Sequence, residues 1–292
     1  MRIAIAAIAS CVLAASAFGQ TDTPFRLRLL VPAYFYPAGE GLKEWEKLFA
    51  AHDPAKGIEI VPIFNLDSGV PGETANEEYR KIVERAAAKK MHLLAYVSSK
   101  YGKAPIATVK QNIADYWKHY PELGGFFIDE QSSQAKDVPY YAEIREYTMT
   151  LTEWKETDDA PGRPRLVGNP GVPCAREYLS KDRKRIMDVA VVFESEDSGS
   201  TKDRVAAFKT FTNPAWAKSF APGRFAALVY DCDILRHMKR AKEQKIGWFY
   251  VTDAKGRNPW DRLPSYWTKE IAELTDINTP VKQRLNDETK PR

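Results

Sequence analysis

Gly125-Phe126-Phe127-Ile128-Asp129-Glu130 is an apolar run that does not alternate and ends on two carboxylates. A strand apolar on both faces suits a buried parallel sheet rather than a half-solvated antiparallel one. Stretches of helical period, residues 106–120 and 140–155, flank it. The same unit recurs in both directions. Strands are expected at 27–34, 58–64, 92–97, 125–129, 165–167, 189–193, 225–230 and 247–251. Further helices are expected at 42–51, 76–89, 202–212, 234–245 and 264–274, whereas 176–185 is only weakly helical. In 76–89, Tyr79, Ile82, Val83, Ala86 and Ala87 fall at i, i+3, i+4, i+7 and i+8, which is one helix face. Eight such alternations in about 250 residues predict an α/β fold, a single (β/α)8 TIM-type barrel with its active site at the C-terminal ends of the strands. A doubly wound open sheet would carry a glycine-rich turn after its first strand. Pro32-Ala33-Tyr34-Phe35-Tyr36-Pro37 is no such turn.

The 292-residue chain holds 43 basic and 39 acidic side chains, a net charge of +4. That balance is too even to argue for nucleic acid, whose binders concentrate charge on one face. Hydrophobic residues at 44%, with 7 Trp, 14 Tyr and 13 Phe, supply a large core and exclude wholesale disorder. Three cysteines exclude a disulfide-dense scaffold. Arg2, the apolar run 3–14 and Ala15-Ser16-Ala17 read as a signal peptide over 1–17. The run is too short to span a bilayer, and no later segment is long and apolar enough. The expected protein is therefore secreted or extracytoplasmic, in the periplasm or at the cell surface. Its barrel should cover 24–280, with a polar tail over 281–292. Cys174 and Cys232 follow the fifth and seventh strands, which are not adjacent, so two partly buried thiols are expected rather than a bridge.

The strand ends carry Tyr34 and Tyr36, Asn65, Ser98, Asp129 and Glu130, Asn169, Glu194, Asp231, and Thr252 with Asp253. In a barrel these positions ring one mouth. A carboxylate directly follows the apolar run at the fourth, sixth, seventh and eighth strands. None of the four histidines, His52, His92, His119 and His237, is expected at the mouth, which argues against a histidine-activated nucleophile. No zinc, Walker or dinucleotide motif occurs. An oxygen-ligand metal site from Asp129, Glu130, Glu194 and Asp253 has no distinctive spacing; no metal or other cofactor is expected. What remains is carboxylate chemistry in an aromatic cup, the requirement of glycoside hydrolysis. Tyr34, Tyr36, Tyr96, Trp248 and Tyr250 could stack on sugar rings, with alternation leaving about half of such rings structural.

The ordered set of Val31-Pro32-Ala33-Tyr34-Phe35-Tyr36-Pro37, Ala95-Tyr96-Val97 with Tyr101-Gly102, Gly125 to Glu130, Asn169-Pro170-Gly171, Phe193-Glu194 and Tyr250-Val251-Thr252-Asp253 resembles the spherulin 4 (spherulation-specific) family. The resemblance implies a secreted barrel glycoside hydrolase acting on α-1,4-linked N-acetylgalactosamine in exopolysaccharide. It also implies that Asp129, Glu130 and Glu194 hold the family's acidic positions. By analogy with related barrel glycosidases, Asp129 is nucleophile or transition-state stabiliser, Glu194 is acid/base, and Glu130 orients the pair. Tyr34, Tyr36, Asn65, Tyr96, Asn169, Asp231, Tyr250 and Asp253 are the expected substrate-binding residues, and a polysaccharide is the expected partner of a monomer. If the strand ran through both Asp129 and Glu130, only one would face the barrel axis. Retention and inversion both stay open. An acidic rim of Asp129, Glu130, Glu194, Glu196, Asp231 and Asp253 on a basic body would favour cationic, partly deacetylated amino sugars. A non-catalytic carbohydrate-binding surface or coat protein of the same fold is the competing reading.

Overall fold

The computed structural model describes residues 25–152, 154, 163–179, 185–198, 207–233 and 236–279. The expected signal peptide and the tail from 281 lie outside them. Eight strands close into one parallel barrel: β1 (Arg28–Pro32), β2 (Ile60–Phe64), β3 (Leu94–Ser98), β4 (Gly125–Asp129), β5 (Leu166–Gly168), β6 (Val189–Glu196), β7 (Phe225–Tyr230) and β8 (Trp248–Val251). Each pairs with its sequence neighbour, and β8 closes on β1 through Arg28 opposite Trp248 and Leu29 opposite Phe249. Around the barrel lie α1 (Gly39–Ala51), α2 (Glu77–Ala88), α3 (Ile106–His119), α4 (Val138–Thr152), α5 (Arg236–Glu243) and α6 (Trp267–Asn278). The fold is a (β/α)8 barrel.

Local sequence explains these elements. Asn76 caps α2, its Oδ1 accepting from the backbone N–H of Glu78 at 3.0 Å and Tyr79 at 3.2 Å. Glu77 and Glu78 in the first turn complement the helix dipole. Tyr79, Ile82, Val83 and Ala86 are buried on one face, as their spacing requires. Gly125 opens β4 where a Cβ would stand 2.5 Å from the Arg165 carbonyl oxygen, so a side chain does not fit there.

The wall departs from the ideal repeat after β5 and β6. Among the described residues those connections hold only short 3-10 turns, at Arg176–Tyr178, Phe208–Thr210, Ala215–Ser219 and Pro222–Arg224. The helix expected over 202–212 is absent across 207–212, and its first five residues lie outside the described set. Pro214 and Pro222 lack the N–H that a continuing helix would need. Phe208 and Phe211 instead turn inward onto Phe193 of β6, with centroids at 5.0 and 5.4 Å. No helix among the described residues is long and apolar enough to cross a membrane.

One side chain clasps the entry to β1 against the end of α6. Asn278 Oδ1 accepts from the Leu27 N–H at 2.8 Å, while its Nδ2 donates to the carbonyls of Leu27 at 2.8 Å and Gly57 at 2.9 Å. Leu27 is fully buried. Asn278→Ala orphans those backbone groups and should cost about 2 kcal/mol, lowering Tm by about 4–8 °C. An unchanged melting curve would refute this.

Candidate active site

Three adjacent strand ends build the site. Asp129 is the last residue of β4, Asn169 follows β5, and Glu194 lies on β6. Asn169 Nδ2 donates to Asp129 Oδ1 at 2.6 Å and also to Glu194 Oε2. One nitrogen within hydrogen-bond reach of both oxygens holds them no more than about 5 Å apart. Tyr96 Oη donates to the other Asp129 oxygen at 2.6 Å. The β6 register shifts between Val191 and Phe193. Beyond that bulge Phe193 packs on Phe208 and Phe211, while Glu194 faces the cleft.

Glu130 does not continue the strand. Its φ is +50°, the left-handed region that costs a non-glycine residue about 1 kcal/mol or more. Four hydrogen bonds hold the turn. Ser99 N–H and Oγ donate to the Asp129 carbonyl at 3.0 Å each, Ser99 Oγ donates to the Glu130 carbonyl at 2.9 Å, and Tyr101 N–H donates to that same carbonyl. Ser98 Oγ donates to the Glu130 carboxylate. The strand alternation therefore breaks between Asp129 and Glu130, and both line one cleft. That cleft, about 380 Å³, includes Tyr101, Asp129, Glu130, Asn169, Glu194 and Tyr230 in its walls.

Burial sets the electrostatics. It is the largest cause raising the Glu194 carboxyl to about 7, and the charge of Asp129 adds to it against hydrogen bonds from Asn169 and Trp260. Burial also raises Asp129, opposed by hydrogen bonds from Tyr96, its neighbouring backbone and Asn169. Tyr34 is pushed well up, first by burial and then by the charges of Asp129 and Glu194, and its ring meets Tyr96 edge-on at 5.8 Å. A buried pair of unequal carboxyls can hold one proton and one negative charge at neutral pH.

The structure thus brings together Asp129, Glu130, Glu194, Asn169 and Tyr96, with Tyr34 against Tyr96. Tyr34 and Tyr96 are not among the residues that line the cleft, and neither are five other expected positions. Tyr36 is 51% exposed, edge-on to Tyr79 at 5.7 Å and hydrogen-bonded by Asn76. Asn65 is half-buried, its backbone carbonyl accepting from Tyr79 Oη at 3.2 Å. Tyr250 is fully buried beside Trp260. Asp253 pairs with Arg262 at 2.9 Å and accepts from the Ser265 N–H at 3.0 Å. Asp231 is exposed, 3.9 Å from Lys255. Of the expected acidic rim, Asp129, Glu130 and Glu194 line the cleft, whereas Glu196, Asp231 and Asp253 are not among its lining residues. Cys174 and Cys232 are both buried and outside any disulfide, and burial pushes the Cys174 thiol up to about 12.

Sequence reasoning marks Ser98 only as a strand end at the mouth and does not select Ser99, Tyr101, Tyr230 or Trp260 for the site. Tyr101 was visible within the Tyr101-Gly102 motif. Trp260 offered a weaker signal, a large aromatic inside the polar stretch Asn258-Pro259-Trp260-Asp261-Arg262. His237 was placed away from the mouth, yet its Nε2 lies 2.6 Å from Asp197, directly after β6.

Fold and site together define a barrel protein with a carboxylate cluster at the C-terminal mouth. The chain belongs to spherulation-specific family 4, whose profile matches residues 28–274. Spherulin-4 of Physarum polycephalum is 26% identical over 260 residues, covering 86% of this chain and 71% of that protein. The crystal structure of Aspergillus clavatus Sph3 in complex with GalNAc has a TM-score of 0.65 at 20% identity, covering 86% of this chain and 98% of that one. At that identity the likeness is one of fold.

Proposed function

We propose that this protein is a glycoside hydrolase cleaving α-1,4-linked N-acetylgalactosamine, or a related amino-sugar exopolysaccharide, outside the cytoplasm as a monomer. Glu194 is the general acid/base, Asp129 is the nucleophile or stabiliser of the oxocarbenium-like transition state, and Glu130 orients the pair. The observation that carries this reading is the single Asn169 amide bound to both Asp129 and Glu194, beside a Glu194 raised to about 7. A carboxyl with that pKa keeps a proton to give to a leaving oxygen near neutral pH. With their bridged oxygens no more than about 5 Å apart, the two carboxyl groups are closer to the spacing of retaining enzymes, about 5–5.5 Å between groups, than to the 6.5–9.5 Å that leaves room for water in inverting ones. Retention is therefore the favoured outcome. The GalNAc bound to the Aspergillus relative and the family resemblance support the choice of sugar.

The test is reducing-end release from α-1,4-linked N-acetylgalactosamine oligomers, with proton NMR reading the anomer first formed. Initial release of the α-anomer supports retention, and β-anomer refutes it. Folded protein that binds but never cleaves amino-sugar polymers overturns the enzyme assignment in favour of a binding protein.

Charge gives a second expectation. Three carboxylates line the cleft, and no lysine or arginine is among its described lining residues. Cleavage of a partly deacetylated, cationic oligomer should fall as salt rises from about 0.01 M to 1 M, where the screening length drops from about 30 to 3 Å. The fully acetylated oligomer should change little. Equal salt dependence for both refutes charge attraction.

A further inference from the structure

Outside the acid cleft, Asp197, Cys232 and His237 converge from three elements: the residue after β6, the loop after β7 and the first turn of α5. One oxygen, sulfur or ring-nitrogen atom from each lies within 4.8 Å of the others. We propose that this cluster is a binding site for a thiophilic divalent cation, zinc by its ligand set, which braces β6 against β7 and α5.

The ligand types argue for zinc. Thiolate, imidazole and a single carboxylate suit a borderline-soft ion, whereas calcium and magnesium take shells of oxygen. The cluster is also built. The Asp197 N–H donates to the Tyr230 carbonyl at 2.9 Å, and the Cys232 N–H donates to the Thr252 carbonyl at 3.0 Å. Tyr266 Oη donates to the Cys232 carbonyl at 2.6 Å. The His237 ring meets Phe208 edge-on at 5.3 Å. Cys232 is 2% and His237 1% exposed, so the thiol is out of reach of a bulky substrate and does not serve as a nucleophile toward one. The Asp197 side chain, at 25% exposure, is the side from which an ion or water can enter.

Little movement is needed. Around tetrahedral zinc, ligands at about 2.0–2.3 Å stand roughly 3.2–3.8 Å from one another. His237 Nε2 and Asp197 Oδ1, now 2.6 Å apart, would open slightly, and the most distant pair would close by about 1 Å. Binding releases the Cys232 thiol proton to solvent, and the Nε2 proton that His237 gives to Asp197 moves to Nδ1 or to solvent, so that a neutral imidazole ligates and the fourth position is left to water. Asp197 stands three residues beyond Glu194 on the same strand run, so the ion would stiffen the wall that carries the proposed acid without entering the cleft.

The full chain, stripped with chelator, is titrated with zinc and separately with cobalt. The expected result is one equivalent bound, with a sulfur-to-cobalt charge-transfer band. Zinc at 100 times its Kd should raise Tm by about 5–10 °C. Cys232→Ser should abolish the band, Cys174→Ser should retain it, and His237→Gln should weaken binding at least tenfold. X-ray absorption at the zinc edge of the unmodified protein decides the matter if a variant fails to fold. A shell with one sulfur supports the site. A shell of oxygens alone, no binding, or a band that survives Cys232→Ser overturns it.

Discussion

Asp129→Asn and Glu194→Gln should each lower turnover of an α-1,4-linked N-acetylgalactosamine oligomer by about 10²–10⁴-fold or more. General acid–base assistance alone supplies that factor, and losing a nucleophile commonly costs as much. Both changes keep side-chain size and remove only the ionisable group. Glu130→Gln should cost less, because Glu130 reaches the cleft from a turn held by Ser98 and Ser99 and shares no hydrogen bond with Glu194 through Asn169. Initial rates by reducing-end release, with Tm as the folding control, check all three. Parent-like rates in either of the first two variants remove the assignment. A larger loss in Glu130→Gln than in Asp129→Asn would exchange the roles of the neighbours.

Activity should also fall about tenfold per pH unit above pH 7, because the raised Glu194 is the proton donor and must keep its proton. The acid limb should lie higher than an ordinary aspartate would set it, because burial raises Asp129 as well. The same residue predicts a stability profile of definite sign. Glu194 titrates near 7 in the folded protein against an ordinary 4.5, so the folded state holds its proton more tightly. Below pH 4.5 both states carry the proton and Glu194 costs no stability. Between 4.5 and 7 stability is lost, reaching on the order of 3 kcal/mol above pH 7. Glu194→Gln removes this penalty. The inactive variant should melt about 6–12 °C above the parent at pH 8 and close to it at pH 4. Parallel melting profiles across pH 4–8 would show that burial does not strain the carboxyl.

Why the sequence disclosed some of this and hid the rest follows from the range of each interaction. The eight strands were legible because a parallel barrel demands runs apolar on both faces, each stopped by a polar residue. Asp129, Asn169 and Glu194 were legible as such stops. The handedness of Glu130 was not, because donors from the loop after β3, Ser98, Ser99 and Tyr101, impose it. Asp253 looked like its fellow strand-end acids, but Arg262, nine residues later in a loop without periodicity, captures it. Tyr250 and Tyr96 sit alike in their runs. Only packing separates a hydroxyl that donates to Asp129 from one buried beside Trp260. The helix expected over 202–212 is absent across 207–212, where Phe208 and Phe211 turn inward and cover Phe193 of β6 instead.

The Asn278 clasp has a consequence for how the protein could be handled or anchored. It draws Leu27, at the entry to β1, against the end of α6, so residues 27 and 278 leave the barrel from one face. The carboxylates open on the opposite face. A bead, a fusion partner or a surface joined directly beside Leu27 or Asn278 would hang beneath the molecule. A long, stiff polymer could then slide across the mouth without meeting the tether, so immobilisation at those two positions should leave access to the cleft unchanged.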